Sequence, residues 1–165
     1  MSDTTAINAE ALHQDALVID SHADAIVAYI RRGNMSFFVV IRDLPWRGTI
    51  EKLRGPEGPR PGAAEIQLNA ATMAKGGIDV SFSSVDVTIP RKNQLAYALD
   101  GIGYFLDDIA DSGSRVKVAT STADILKAKE LGVPAILLAL ENADCTEGSL
   151  NVLRMLYKLG VRSIG

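Results

Sequence analysis

The sequence has a single cysteine, Cys145, and only two histidines, His13 and His22. One cysteine cannot form an internal disulfide, and its solitude suits a reducing compartment. Basic residues are not in excess: 17 Lys and Arg stand against 20 Asp and Glu, for a net charge of −3. No Lys/Arg cluster offers a phosphate track, so nucleic acid is excluded as a partner, and Arg31, Arg32 and Arg42 are scattered as solvated charges are. Long apolar runs are missing too. None approaches the ~20 residues that span a bilayer, and the start Met1-Ser2-Asp3-Thr4-Thr5 lacks the apolar stretch of a signal peptide. No membrane partner is expected, and the expected location is cytoplasmic. What remains is ordinary for a globular protein, with 47% apolar and 22% charged residues. At 165 residues the chain can form one domain with a genuine core, so residues 1–165 are expected to be a single domain.

Apolar spacing alternates along the chain. Residues 4–14 read as a short helix, with Ser2 or Asp3 as its cap and Ile7 and Leu12 on one side. Ala16 to Asp20 reads as a buried strand of the parallel-sheet kind. Residues 25–62 read as an insertion after it; Phe37 to Ile41 can be a strand, while Gly55 to Gly62 is a loop by composition. Ile66, Ala70, Met73 and Ala74 then keep helical spacing up to Gly76-Gly77. Ile78 to Val85 is a second strand, and Leu95, Leu99, Ile102, Leu106 and Ile109 mark an amphipathic helix ending before Gly113. Val116 to Ala119 is a short third strand. Ser121 to Asp124 opens a helix in a capping-box-like manner, and Gly132 closes it. Ala135 to Leu140 is a fully apolar fourth strand ending on Glu141. Leu150, Leu153, Leu156 and Tyr157 form a helix closed by Gly160, and Val161 to Gly165 looks like the start of a fifth strand.

Strands alternating with helices indicate an α/β fold with a parallel sheet, either an open doubly wound sheet or part of a (β/α)₈ barrel. A full barrel takes ~250 residues. The chain is therefore expected to supply the N-terminal portion of one, about four to five βα units, and to be truncated.

The chemistry concentrates at strand ends. Residues two apart in a strand point the same way, so His22 and Asp24 can converge on one point, as two ligands of one cation must. The plain alternative is a strand-end histidine hydrogen-bonded to a neighbouring carboxylate. Glu141 follows six apolar residues, where an unpaired carboxylate is costly, so it should meet a cation or several donors. In parallel α/β folds the carboxyl ends of the strands form the functional face, which favours a metal site built from His22, Asp24 and Glu141. One imidazole among carboxylates suits zinc, manganese or another divalent first-row ion.

Ile19-Asp20-Ser21-His22-Ala23-Asp24, Ile66-Gln67-Leu68, Lys75-Gly76-Gly77-Ile78, Phe82-Ser83-Ser84 and Leu138-Ala139-Leu140-Glu141 stand in an order and spacing that resemble the membrane (renal) dipeptidase family of zinc metallopeptidases. Ser149-Leu150, Leu153-Arg154, Tyr157 and Leu159 to Arg162 continue the resemblance over nearly the whole chain. The resemblance implies a (β/α)₈ barrel with a binuclear zinc site and a dipeptide substrate. It implies that His22 and Asp24 bind the first metal and that Glu141 bridges both, and that a metal-activated hydroxide attacks the peptide carbonyl. Two departures stand out. After the bridging Glu the family usually has Gly-Gly-His, whereas here Asn142-Ala143-Asp144 follows, and the polar Asn142 is expected to alter the loop beside the metal or the substrate preference. The family also supplies two further His ligands, a substrate-contacting His and an acidic proton-transfer residue downstream, none of which lies within these residues. No catalytic residue beyond the metal ligands is therefore assigned, and the chain is expected to be inactive alone.

Asp20 shares the strand parity of His22, so it is expected to face the interior and orient a ligand; a turn or cap role is the alternative. Cys145 has no partner base and reads as packing. Asp86 and Arg91 follow the second strand and can line a substrate pocket, though they read first as solvated loop charges; Trp46 reads as a pocket cover or loop packing, and His13 as a surface residue. Gly101 and Gly103 lie inside a helix, not at a strand-to-helix turn, so a phosphate loop is not indicated. Two other functions fit the same residues: an inactive half-barrel that self-associates or pairs with another chain through open sheet edges, and a related amidohydrolase acting on cyclic amides.

Overall fold

The strand from Ala135 to Leu140 lies at the centre of the sheet because all six of its residues are apolar and buried. The computed structural model describes residues 8–26, 68–87, 93–113 and 115–165. Five strands occur among them: β1 (Ile19–Ala23), β2 (Val80–Val85), β3 (Lys117–Val118), β4 (Ala135–Leu140) and β5 (Val161–Ile164). Every pairing is parallel, β1 with β2, β2 with β4, and β4 with both β3 and β5. The α/β class and the parallel sheet are as expected from the sequence.

The two partners β3 and β5 share one edge of β4. Pro134 and Ile136 O accept from Lys117 and Ala119 N at the amino end of that edge, and Leu140 O accepts from Gly165 N at its carboxyl end. The opposite edge belongs to β2, whose Val85 O accepts from Glu141 N at 3.0 Å. The two-residue β3 is thus a ledge low on β4, and β5 replaces it where the strand carries on toward the functional end.

Five α-helices occur among the described residues: α1 (Ala9–Asp15), which precedes β1, and α2 (Ala70–Gly76), α3 (Gln94–Asp111), α4 (Thr122–Glu130) and α5 (Leu150–Lys158) between the strands. Asn8 caps α1, where Ser2 or Asp3 was expected, because its Oδ1 accepts from Ala11 N at 3.2 Å. Asn69 and Thr72 form a reciprocal capping box at α2. At α4, Ser121 Oγ accepts from Asp124 N while Asp124 Oδ2 accepts from Thr120 N at 2.9 Å. These local bonds make the helix starts readable in the sequence.

Tertiary packing decides what local pattern leaves open. β1 starts at Ile19, not Ala16, because Asp79 Oδ2 takes Val18 N and Val18 O takes Asp79 and Val80 N, which fixes the register of β1 against β2. Nor is β1 a buried strand: only Ala23 of its five residues is buried, as befits an edge strand. The core stripe of α3 runs through Tyr97, Ala98, Ile102, Phe105 and Ile109, and Leu99 lies 38% exposed outside it. On α5, Leu156 is buried, whereas Leu150, Leu153 and Tyr157 are exposed, since no described element covers that face.

The main core lies between the helices and one face of the sheet, with Ile136, Leu138, Leu140 and Val85 against Met73, Tyr97, Phe105 and Leu156. The other face carries Val80 and Ala135, which with Ala119 and Ala128 form a smaller cluster that Phe82 packs against. No helix among the described residues is long and apolar enough to cross a membrane. The expected insertion over 25–62, the strand at Phe37 to Ile41, Trp46, Arg91 and the charges Arg31, Arg32 and Arg42 lie outside the described residues, apart from Ala25 and Ile26, which are buried in the main core.

Candidate metal centre

β1 and β4 end at the same end of a parallel sheet, and the polar residues that follow their apolar stretches meet there. Glu141 is anchored through its own N–H to Val85 O, so its backbone still belongs to the ladder although β4 has ended. On the other side of β2, Ala23 is buried while His22 and Asp24 on either side of it are exposed. One ligand atom from each of His22, Asp24 and Glu141 lies within 4.8 Å of the other two. His22 Nε2 and Asp24 Oδ1 are 3.5 Å apart, with 55% and 59% of their side chains exposed.

The donor set fits a divalent cation. Ligands about 2.1 Å from a shared tetrahedral ion stand about 3.4 Å apart, close to the His22–Asp24 separation. The outer limit of 4.8 Å for the trio exceeds that separation, and the exposed His22 and Asp24 side chains can rotate to close it. Two carboxylates neutralise a divalent charge, and an imidazole adds a nitrogen donor favoured by zinc. The strand-end histidine beside a carboxylate, the plain alternative, is also present in this geometry, but it leaves the approach of Glu141 unexplained.

Neighbouring residues behave differently from one another. A bulge in β1 separates Asp20, paired with Ser81, from Ala23, paired with Ser83. The extra residue breaks the two-residue alternation, so Asp20 does not share the face of His22 as its parity suggested. Its Oδ1 instead accepts from the backbone N–H of His22 at 3.2 Å, holding the ligand residue by its main chain in the turn role left open from the sequence. Asn142 Oδ1 accepts from Asp144 N at 3.0 Å and shapes the single 3₁₀ turn Asp144–Thr146, while its Nδ2 is buried without a partner.

Cys145 is fully buried in the main core, and burial pushes its thiol above the usual range, with Asp144 and Glu147 adding to the effect. It packs, as expected, and is no nucleophile. His13 is exposed and remote from the trio; its Nε2 bonds Gly76 O at 2.9 Å. Asp86 corrects an expectation: it is 7% exposed, not a solvated loop charge. It directly follows β2 as Glu141 follows β4, so the rule that singles out Glu141 singles out Asp86 equally. Gly101 lies buried inside α3, with no strand-to-helix turn beside it.

A model of the family described as membrane dipeptidase (Peptidase family M19) matches residues 7–165. Among solved structures, an amidohydrolase from Pseudomonas aeruginosa is similar with a TM-score of 0.57 at 24% identity, over 92% of this chain and 34% of its own. Dipeptidase AC, a metallo peptidase of family M19, gives a TM-score of 0.66 at 21% identity, over 90% of this chain and 41% of its own. A metallo peptidase from Rhodobacter sphaeroides, liganded with a phosphinate mimic of the dipeptide L-Ala-D-Ala, gives 0.66 at 20%, over 90% of this chain and 44% of its own. No curated protein sequence matches the chain. These likenesses identify the parallel sheet as a portion of a (β/α)₈ barrel, and the chain spans 34% to 44% of the length of these structures.

Proposed function

The chain belongs to the membrane dipeptidase family, Peptidase family M19, and on that premise we propose that it carries the first-metal half of a zinc-dependent dipeptidase centre. The convergence of His22, Asp24 and Glu141 carries this reading. In it, His22, Asp24 and Glu141 would hold a zinc ion, and Glu141 would also serve a second. A zinc ion bound there would supply a Lewis acid for a peptide carbonyl and lower the pKa of a water. The residues of this chain do the placing. Asp20 fixes the main chain of His22, β2 fixes that of Glu141, and Asn142 shapes the turn beside them. His13 and His22 are the only histidines in these 165 residues, so this stretch supplies ligands for one ion and the bridge.

The proposed substrate is a dipeptide, in keeping with the L-Ala-D-Ala mimic on the Rhodobacter sphaeroides peptidase. We further propose one domain over residues 1–165 with an insertion at 25–62. A cytoplasmic site is proposed from the unpaired Cys145. The net charge of −3 argues against nucleic acid as a partner.

The test is hydrolysis of L-Ala-D-Ala and of hydantoin-like rings with and without zinc. Zinc-dependent cleavage of the dipeptide, lost in His22→Ala, supports the reading. Cleavage of the rings alone moves the chain to the alternative reading, an amidohydrolase acting on cyclic amides. A chain that binds zinc yet cleaves neither is the inactive portion of a barrel, and light scattering then shows whether its open edge at β1 drives homo-oligomers. Absence of zinc binding sinks the assignment.

A further inference from the structure

Three buried hydroxyls without partners lie on β2. Ser81, Ser83 and Ser84 are each 0% exposed, and none of their Oγ atoms has a hydrogen-bond partner. An orphaned buried hydroxyl costs about 1–3 kcal/mol, so its retention asks for a reason.

The three are not equivalent. Ser81 and Ser83 pair with Ile136 and Leu138, whose side chains belong to the core beneath the helices. Ser84 pairs with Ala139, and strand alternation turns it to the opposite face. Glu141 lies on that face too, two residues beyond Ala139, with its N–H still bonded to Val85 O. β2 runs between β1 and β4, and Ala23 pairs with Ser83. Ser84 is therefore level with Asp24 on one flank and just below Glu141 on the other. Of the three hydroxyls, it alone lies between the two carboxylates of the candidate centre.

We propose that Ser84 is a positioning residue of the metal centre, its hydroxyl held for a carboxylate oxygen of the ligand group, Asp24 or Glu141. The Ser84 hydroxyl would donate to one oxygen of that carboxylate and leave the other for a cation, which would orient the ligand group and raise its strength. The proposal rests on the reading of His22, Asp24 and Glu141 as metal ligands. It accounts for a buried hydroxyl that has no hydrogen-bond partner.

The experiment compares wild type, Ser84→Ala and Ser83→Ala by zinc calorimetry and by melting without metal. Ser84→Ala is expected to bind zinc about tenfold or more weakly, the usual effect of removing a group that orients a ligand. Without metal it should melt at or above wild type, because an orphaned hydroxyl has been removed, and Ser83→Ala should bind zinc as wild type does. Equal zinc affinity in Ser84→Ala and wild type overturns the role of Ser84 and leaves the ligand assignment standing. A metal-free Ser84→Ala that melts well below both other proteins makes the hydroxyl a structural group and also overturns it. If wild type itself binds no zinc, the ligand assignment fails and the role of Ser84 falls with it.

Discussion

Replacing Lys129 by methionine should loosen the strand that carries His22 and Asp24, although Lys129 is far from them in sequence. Its ammonium on α4 donates to Asp79 Oδ2 at 2.9 Å, to Ala16 O at 2.8 Å and more weakly to Gln14 O at 3.4 Å. Asp79 Oδ2 also accepts Val18 N at 2.8 Å, so one cation ties α4, the end of α1, the entry to β1 and the entry to β2. The Lys129 and Asp79 side chains are 28% and 21% exposed, which places the pair between a screened surface bridge and a buried one. A charge-assisted hydrogen bond contributes about 1.5–3 kcal/mol, and discounting for this exposure leaves about 2 kcal/mol for the group. Methionine keeps most of the apolar stem and removes only the donors. In a chain of this size 2 kcal/mol lowers Tm by roughly 4–8 °C. Thermal melting followed by circular dichroism reads this directly, and Asp79→Asn combined with Lys129→Met should fall short of additivity by roughly 1 kcal/mol. A Lys129→Met protein melting within about 1 °C of wild type would refute the clamp as a source of stability.

Gly77→Ala should destabilise by about 1–2 kcal/mol from backbone strain alone, since φ there is +64°, and more because its Cβ would meet His13 Nε2 at 2.7 Å; adding His13→Ala should recover the clash but not the strain, as urea midpoints will show. Asp124 is held below its ordinary pKa of 3.8, first by the Thr120 backbone N–H and then by the Ser121 and Thr120 side chains. Because its folded pKa is the lower one, its stabilising contribution is present above the unfolded value and lost as pH falls through the folded value. The stability gap between wild type and Asp124→Asn should therefore persist at neutral pH and close in strong acid, and a gap unchanged at acid pH would contradict the cap. Cys145, buried and with its thiol pushed up, should resist thiol reagents in the native protein and react only as it unfolds, and fast native labelling would contradict its packing role.

β4 and Glu141 were readable because six apolar residues closed by a carboxylate allow few structures other than a central strand with a polar group at its end. The helix start at Ser121 was readable because its capping bond reaches only three residues, whereas the equally local caps Asn69 and Ser149 were not singled out. β1 was misplaced by three residues because its register depends on Asp79, sixty-one residues from Val18, and no local pattern encodes such a bond. The bulge that separates Asp20 from the face of His22 is likewise a property of the β1–β2 pairing, invisible to parity within one strand. Asp86 was seen to follow β2 and to be able to line a pocket, but was read first as a solvated charge, because the burial that separates a solvated charge from an inward one is not legible in the sequence. On α5 the apolar periodicity marked the helix, while Leu150, Leu153 and Tyr157 stay exposed because no described element covers that face.

The most direct test of the central claim is a zinc titration of the metal-free protein beside His22→Ala, Asp24→Ala and Glu141→Ala, read by calorimetry and by the shift in Tm. The account predicts a saturable site in wild type that raises Tm through preferential binding to the folded state, and marked weakening in each variant. Zinc binding that is absent from wild type, or that survives unchanged in all three variants, would contradict it.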